Sequence, residues 1–385
     1  MEDDARVKEE HCRSGSAELA GGRLGANAGY LIQGTENLAA MPRRAKLTMD
    51  DVARAARVSK QTVSAVINNK SGISEETRVR VRQIVARLDY QPNLLAGSLR
   101  GQSSLTVGVV IPSITNPFYP EFVRGIEDEA QIHGYSLFLC NSDENPEKEV
   151  NYLQLLRRHR IAGLIAVTIK VHPAWTEALK KLAIQGVPAV IALGSYRPTV
   201  NVVQIGVDDV AGFVKATSYL MDLGHDRIGM IMPPADPNGK SPRVTGFLKA
   251  HALRGRKVAP ELLVPGGWHV REGQSGAALL MKLPVPPTAV VAPNDMAAIG
   301  AITKLKELHY RVPEDVAVVG YDNIAIAEWY DPAITTVDQP HYQMGQRAMQ
   351  ALLKRFKNPD DPVEAITFET SLVIRNSSGG PRRGG

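Results

Sequence analysis

The chain has 385 residues, 44% of them hydrophobic, and a formal net charge of +5. That length supports two or three domains with sizeable cores, and no apolar run approaches the ~20 residues that cross a bilayer. Two cysteines, Cys12 and Cys140, stand far apart and make no disulfide framework, which fits a reducing cytoplasm.

Residues 1–41 are rich in Gly, Ala and charge without a sustained apolar period. Seven acidic residues against four basic ones leave the segment at −3, and it reads as disordered. Its opening, MEDDARVKEEHCRSG, has no apolar stretch and is no secretory signal. Two accounts compete: an acidic tail, or upstream sequence read from a start codon placed ahead of Met41. Residues 42–46, PRRAK, form a short basic arm suited to lying along phosphates. Residues 1–46 are therefore set apart from the folded chain.

Residues 48–68, TMDDVARAARVSKQTVSAVIN, predict two short helices and a tight turn. Thr48 can cap the first, with Asp50 and Asp51 at its positive end. Val52, Ala53 and Ala56 make one apolar stripe; Ser59 caps the second helix, where Val63, Val66 and Ile67 repeat the spacing. The remaining face carries Lys60, Gln61, Ser64 and Ala65. This is a helix-turn-helix pattern whose second helix offers its first turn to the major groove, although an ordinary helical hairpin has the same periodicity. A third helix follows Ser74, with Val81, Ile84, Val85 and Leu88 on one face. Between Pro42 and Ser104, twelve Lys or Arg stand against five Asp or Glu, an excess of +7 that surpasses the whole chain's +5. Positive charge concentrated in a small helical head, residues 47–92, is the footprint of a nucleic-acid binder.

Residues 93–104 open with NLLAGSLR. Asn93 can cap a short helix with Leu95, Ala96 and Leu99 on one face, while Gly97 weakens it; a plain linker reads equally well. From Leu105 the texture becomes alternating strands and helices. Strand runs LTVGVVI, YSLFLCN, IAGLIAV and VPAVIAL are followed by a second series, RIGMIM, TAVVA and DVAVVGY. The alternation predicts an α/β core over residues 105–375, with parallel sheets flanked by helices in two lobes. Ligands in such folds bind at the carboxyl ends of the strands, here in the cleft between lobes. Residues 376–385, NSSGGPRRGG, read as a disordered tail.

Three stretches carry a resemblance: TMDDVARAARVSKQTVSAVIN, SEETRVRVRQIVARLDYQPN and LLAGSLRGQSSLTVGVVIP. Together they resemble the lactose-repressor (LacI/GalR) family of bacterial transcription regulators, and the likeness continues to about Arg375. The resemblance implies a helix-turn-helix head on a two-lobed core like that of periplasmic sugar-binding proteins. The chain would cross between lobes near Gly206, near residues 337–340 and again after Asn358. The first lobe would be about 105–206 and 338–358, and the second about 207–337 and 359–375, with a closing strand at 365–374. By the same resemblance, residues 93–100 form a hinge helix. Leu99 would wedge between central base pairs from the minor groove, and Ala96 would let the helix approach the groove floor. Met41 would be the natural start. The tail lacks leucine heptads, so a homodimer is expected, acting on operator DNA as a cytoplasmic repressor.

Lys60, Gln61 and Ala65 match the family's base-reading positions: Lys donates to guanine, Gln pairs with adenine and Ala packs on a thymine methyl. Ala65 departs from the arginine of many members, and Arg57 from their glycine, where it can reach a phosphate. Thr62, Ser64, Asn68 and Thr77 read as phosphate contacts or caps.

For the effector, Phe118 and Tyr119 in NPFY can line the cleft or pack the core. Arg243 in SPRVTGF matches the family's effector-binding arginine, with a surface cap as its plain alternative. Trp268 in GGWHV matches an aromatic that stacks on a ring, or is plain core. Asn294 in APNDMAAIG suits hydroxyl recognition, with Asp295 beside it read as a helix cap. Asp322 in VGYDN can accept from hydroxyls or amines. Asp208 is a weaker candidate, and His225 reads as structural. The set predicts a small polyhydroxylated effector, a sugar or sugar acid, with a purine as its rival. P-loop, dinucleotide, zinc-protease and nucleophile-elbow motifs are missing, and cysteine and histidine spacings give no metal site, so neither catalysis nor a cofactor is expected. The alternative of another class is a sugar-binding receptor feeding a transporter.

Overall fold

The computed structural model describes residues 47–90, 104–167, 173–192, 202–234 and 241–379. The extension 1–46 and the hinge segment with Ala96 and Leu99 lie outside these residues.

The head is three helices: α1 (Met49–Ala56), α2 (Lys60–Ile67) and α3 (Glu75–Arg87). Each start is fixed by a short polar side chain. Thr48 donates from its N–H and its hydroxyl to the Asp51 carboxylate, at 2.9 and 2.7 Å. Ser59 and Ser74 accept from the N–H of Thr62 and Thr77. Val52, Ala53, Ala56, Val63, Val66, Val81 and Tyr90 are buried together, so the stripes expected from the spacing meet in one small core.

The core carries two six-stranded sheets. In chain order the elements are β1 (Thr106–Ile111), α4 (Phe118–Ile132), β2 (Ser136–Asn141), α5 (Pro146–Arg158), β3 (Gly163–Val167), α6 (Pro173–Ile184), β4 (Ala189–Ala192) and β5 (Val203–Val207). The second series is α7 (Asp209–Asp222), β6 (Ile228–Ile231), α8 (Pro242–Leu253), β7 (Leu263–Val264), α9 (Val270–Met281), β8 (Ala289–Val291), α10 (Asp295–Glu307), β9 (Ala317–Asp322), the single turn α11 (Ile326–Trp329) and β10 (Thr335–Asp338). The chain closes with α12 (His341–Lys357), β11 (Ala365–Phe368) and β12 (Ser371–Val373). The first sheet has the order β11-β5-β4-β3-β1-β2 and the second β12-β10-β9-β8-β6-β7. All pairs are parallel except β10 with β12. Strands covered on both faces must be apolar throughout, which is why β3 and β4 are buried at every position.

Helices flanking each sheet approach to backbone contact. A Cβ on Gly125 of α4 would stand 2.1 Å from the Tyr342 carbonyl oxygen, and one on Gly345 of α12 would stand 2.0 Å from that of Phe122. The second lobe repeats the device: a Cβ on Gly273 of α9 would stand 2.0 Å from Ala297 O, and one on Gly300 of α10 would stand 1.9 Å from Val270 O.

Two expectations are corrected. The run at 365–374 is not one strand of the second lobe. β11 pairs with β5 in the first sheet, whereas β12 pairs with β10 in the second. The third crossing therefore lies at Glu369 and Thr370, not just after Asn358. The open edge of β5 takes the first half of the run before the chain leaves. Residues 376–379 are also not a free tail: Ser377 and Ser378 are buried in a 3-10 turn. Ser377 Oγ donates to Val318 O and accepts from Thr335 N–H, which plugs the second sheet.

Candidate DNA-reading helix and effector cleft

The Ser59 cap makes Lys60 and Gln61 the first two residues of α2, and both are exposed. Lys60 Nζ lies 2.8 Å from Oδ2 of Asp50, in the first turn of α1. Thr62 Oγ1 sits 2.9 Å from Ser59 Oγ, so its hydroxyl is engaged within the cap. Asn68 Nδ2 donates to Ser64 O at 2.8 Å and reaches Ser64 Oγ at 3.4 Å, which closes the last turn. Ala65 is half-buried on the same helix. Arg57 ends α1 in the left-handed region, φ 52°, where glycine is the unstrained residue. Thr62, Ser64 and Asn68 thus bond within α2, as the cap alternative allowed, and the side chains of Lys60, Gln61 and Arg57 are exposed.

In the core, Asp322 ends β9 with φ 114°, in the left-handed half of backbone space, and is almost fully buried. Gln339, on the second crossing, donates from Nε2 to its Oδ1 at 2.6 Å. Arg243 stands in the first turn of α8, where Pro242 opens the helix. Its Nη1 lies 4.0 Å from Asp322, its Nε 3.4 Å from Asp209, and Nη1 also donates to Pro293 O. Its guanidinium carbon is 4.9 Å from the Trp268 ring centroid and 4.5 Å from that of Tyr321. Burial opposes the arginine's charge, but Asp209 and Asp322 outweigh it and hold its pKa above the usual value. For Asp322 burial wins: its carboxyl is pushed up to about 7, against the lowering influence of Arg243 and the Gln339 hydrogen bond.

From the first lobe come Phe118 and Tyr119. Phe118 is buried in the apolar cluster of the second lobe, with its ring 5.3 Å from Tyr119 and 5.0 Å from His341. It is an inter-lobe plug rather than an open lining. Tyr119 packs against both lobes, and burial followed by the carboxylates of Asp322 and Glu144 holds its hydroxyl well above its ordinary pKa. Glu144 of the first lobe also meets His269 of the second at 3.4 Å.

The cap of α10 is Asn294, not Asp295 as expected. Asn294 accepts from Ala297 N–H and donates to Trp268 O. Asp295 is fully buried and accepts from Thr336 Oγ1 and Ile324 N–H, because it faces the sheet. Burial, then the charge of Asp322, drives its pKa far up. Asp208 is the cap of α7, and His225 bonds Thr288 Oγ1, so both are structural. Sequence reasoning missed Asp209, Tyr321, Gln339 and Glu144. The doublet in GVDDV was a usable signal for Asp209; Gln339 had none, because Asp322, its partner, lies on the adjacent strand.

The described residues thus hold a helix-turn-helix with exposed Lys and Gln at its second helix, and a half-buried Arg and Trp beside the buried Asp322 in the core. The family profile for bacterial regulatory proteins, lacI family, matches residues 48–93, and that for a periplasmic binding protein-like domain matches residues 217–378. The HTH-type transcriptional regulator DegA of Bacillus subtilis (strain 168) is 32% identical over 86% of this chain and 98% of its own. This chain belongs to the LacI family of bacterial regulators. The LacI-family chain is also 33% identical to the repressor PurR of Aliivibrio fischeri (strain MJ11), over 86% of this chain and 98% of that one. A lac repressor dimer solved with operator and the anti-inducer ONPF matches 87% of the chain and all of its own, at 27% identity and a TM-score of 0.78. A complex of the regulator CelR with cellobiose matches 86% of the chain and 99% of its own, at 28% identity and a TM-score of 0.65. The regulator is accordingly a DNA-binding transcription factor with a ligand-binding core. Among the described residues no helix is long and apolar enough to cross a membrane, and no metal-binding cluster occurs.

Proposed function

We propose that the regulator is a homodimeric repressor, acting by binding and not by catalysis, whose operator affinity is set by a neutral sugar held between the lobes. Lys60, Gln61 and Ala65 read bases, Arg57 meets a phosphate, and Leu99 and Ala96 belong to a hinge that enters the minor groove.

The observation that carries the sugar is the state of the cleft's polar groups. Trp268 Nε1 and Gln339 Oε1 are buried without a partner among the described residues, so a ligand that both donates and accepts fits there. Asp322 accepts, and Trp268 offers a ring face. Arg243 is already shared by Asp209, Asp322 and Pro293 O, which leaves little of its charge for a sugar acid. A purine clamped between Phe118 and Tyr119 is disfavoured because Phe118 is committed to packing across the lobes. The similar regulator CelR, solved with cellobiose, supports the sugar.

A thermal-shift screen of the full chain against neutral sugars, sugar acids, nucleosides and purine bases tests the reading. A neutral sugar should raise the midpoint, and Asp322→Ala or Arg243→Ala should remove most of the rise. A shift from a purine base alone, or from sugar acids alone, would overturn the assignment.

A further inference from the structure

We infer that Asp50 is a specificity-determining positioning residue, which orients the ammonium of Lys60 for a guanine. The inference rests on the reading of Lys60 as a base-reading residue.

Lysine is a poor reader of sequence by itself. Its charge rides on four flexible methylenes and takes phosphate as readily as a base edge, so an unrestrained Lys60 adds affinity without choice. Here the side chain is restrained. Asp50, on the bracing helix, accepts from Lys60 Nζ at 2.8 Å although the two are ten residues apart and both exposed. The exposed pair holds Lys60 only weakly in the free protein, and its hold strengthens as an interface with DNA excludes water. The adjacent carboxylate is engaged elsewhere: Asp51 accepts from Thr48 and Arg54, which leaves Asp50 to Lys60.

The geometry suits a base. An ammonium has three donors; one given to Asp50 leaves two, the number that O6 and N7 of guanine accept. The carboxylate also repels phosphate, so Lys60 is turned toward the groove floor and away from the backbone. A negative group on the DNA-facing side of a basic head lowers affinity for all DNA and makes the remaining affinity depend on that base.

Selection of bound sites from a random duplex library by the full chain tests this, run in parallel for the unchanged protein, Asp50→Asn, Asp50→Glu and Lys60→Ala. The unchanged protein should prefer G at one position of each half-site by roughly tenfold to a hundredfold. Lys60→Ala should erase that preference. Asp50→Asn should reduce it on the order of tenfold at the same position only, while tightening binding to random DNA and steepening its salt dependence; Asp50→Glu should restore part of the preference. Asp50→Asn is near-isosteric at an exposed position, and unchanged thermal unfolding confirms that the head is intact. If Lys60→Ala alters the selected sequence and Asp50→Asn does not, Asp50 has no such role. If Lys60→Ala leaves every position unchanged, the reading of Lys60 fails and this inference falls with it.

Discussion

Asp322 sits where burial, a cation and an amide meet, and burial prevails: its carboxyl titrates at about 7 against roughly 3.9 in an unfolded chain. Folding therefore takes up a proton in that interval, and the effector-free core loses stability as pH climbs from about 4 to about 7. At ~1.4 kcal/mol per unit the loss is on the order of 4 kcal/mol at the upper end. Asp322→Asn should make the dependence shallower, leaving the part that buried Asp295 contributes with the same sign, as thermal unfolding from pH 5 to 8 would show. Binding should move the opposite way. A sugar hydroxyl donates to the ionised carboxylate, so effector affinity should rise up to about tenfold per pH unit below 7 and level off above it. Calorimetry across that range checks this, and a flat profile for the unchanged protein would remove Asp322 from the ligand's contacts. That Arg243 and Asp322 come together was legible, because one opens a helix and the other ends a strand; Trp268 was named only through the family resemblance. The Asn294–Asp295 assignment was not: either side chain can cap, and only the position of Thr336 on the neighbouring strand decides which one turns inward.

At the scale of elements, the paired glycines determine how closely the helices pack. In an ordinary helix interior Gly→Ala is favourable by about 1 kcal/mol. At Gly345 the new methyl would meet the Phe122 carbonyl, so α4 and α12 must separate and expose part of the first lobe's core. Gly345→Ala should lower stability by about 3 kcal/mol, as expected for overpacking; the thermal midpoint of the full chain measures it. A midpoint at or above the original would show that the helices adjust freely. The strand–helix alternation itself was readable from runs such as GLIAV, which suit a strand buried on both faces. The division of residues 365–373 was not readable. EAITFETSLVIR is one β-prone run with no Gly or Pro at Glu369 or Thr370, and the break is set by which sheet edge each half finds.

For the whole molecule, charge separates the two binding events. The segment 42–104 carries an excess of +7, so operator binding should fall steeply with salt. For roughly 6–10 phosphate contacts in a dimer, the loss is about 10³–10⁵ between 50 and 200 mM. Fluorescence anisotropy with a selected palindromic site measures the slope. Effector affinity should scarcely change over the same range, because a neutral sugar displaces no counterions; a matching salt slope for the effector would mean an anionic ligand. The split strand has a wider consequence. Phe368 pairs with Val207, just before the first crossing, and Ser371 pairs with Asp338, just before the second. Lys215 Nζ of α7 donates to Thr370 O between them, at 2.5 Å. The three crossings are therefore laced into one narrow ribbon rather than hung as three separate strings. A ribbon resists shear and splaying but yields to twist about its long axis. A lobe movement on ligand binding should therefore act on the three crossings together, and backbone amides at 338–339 and 369–371 should change their hydrogen-exchange rates in concert when the ligand binds.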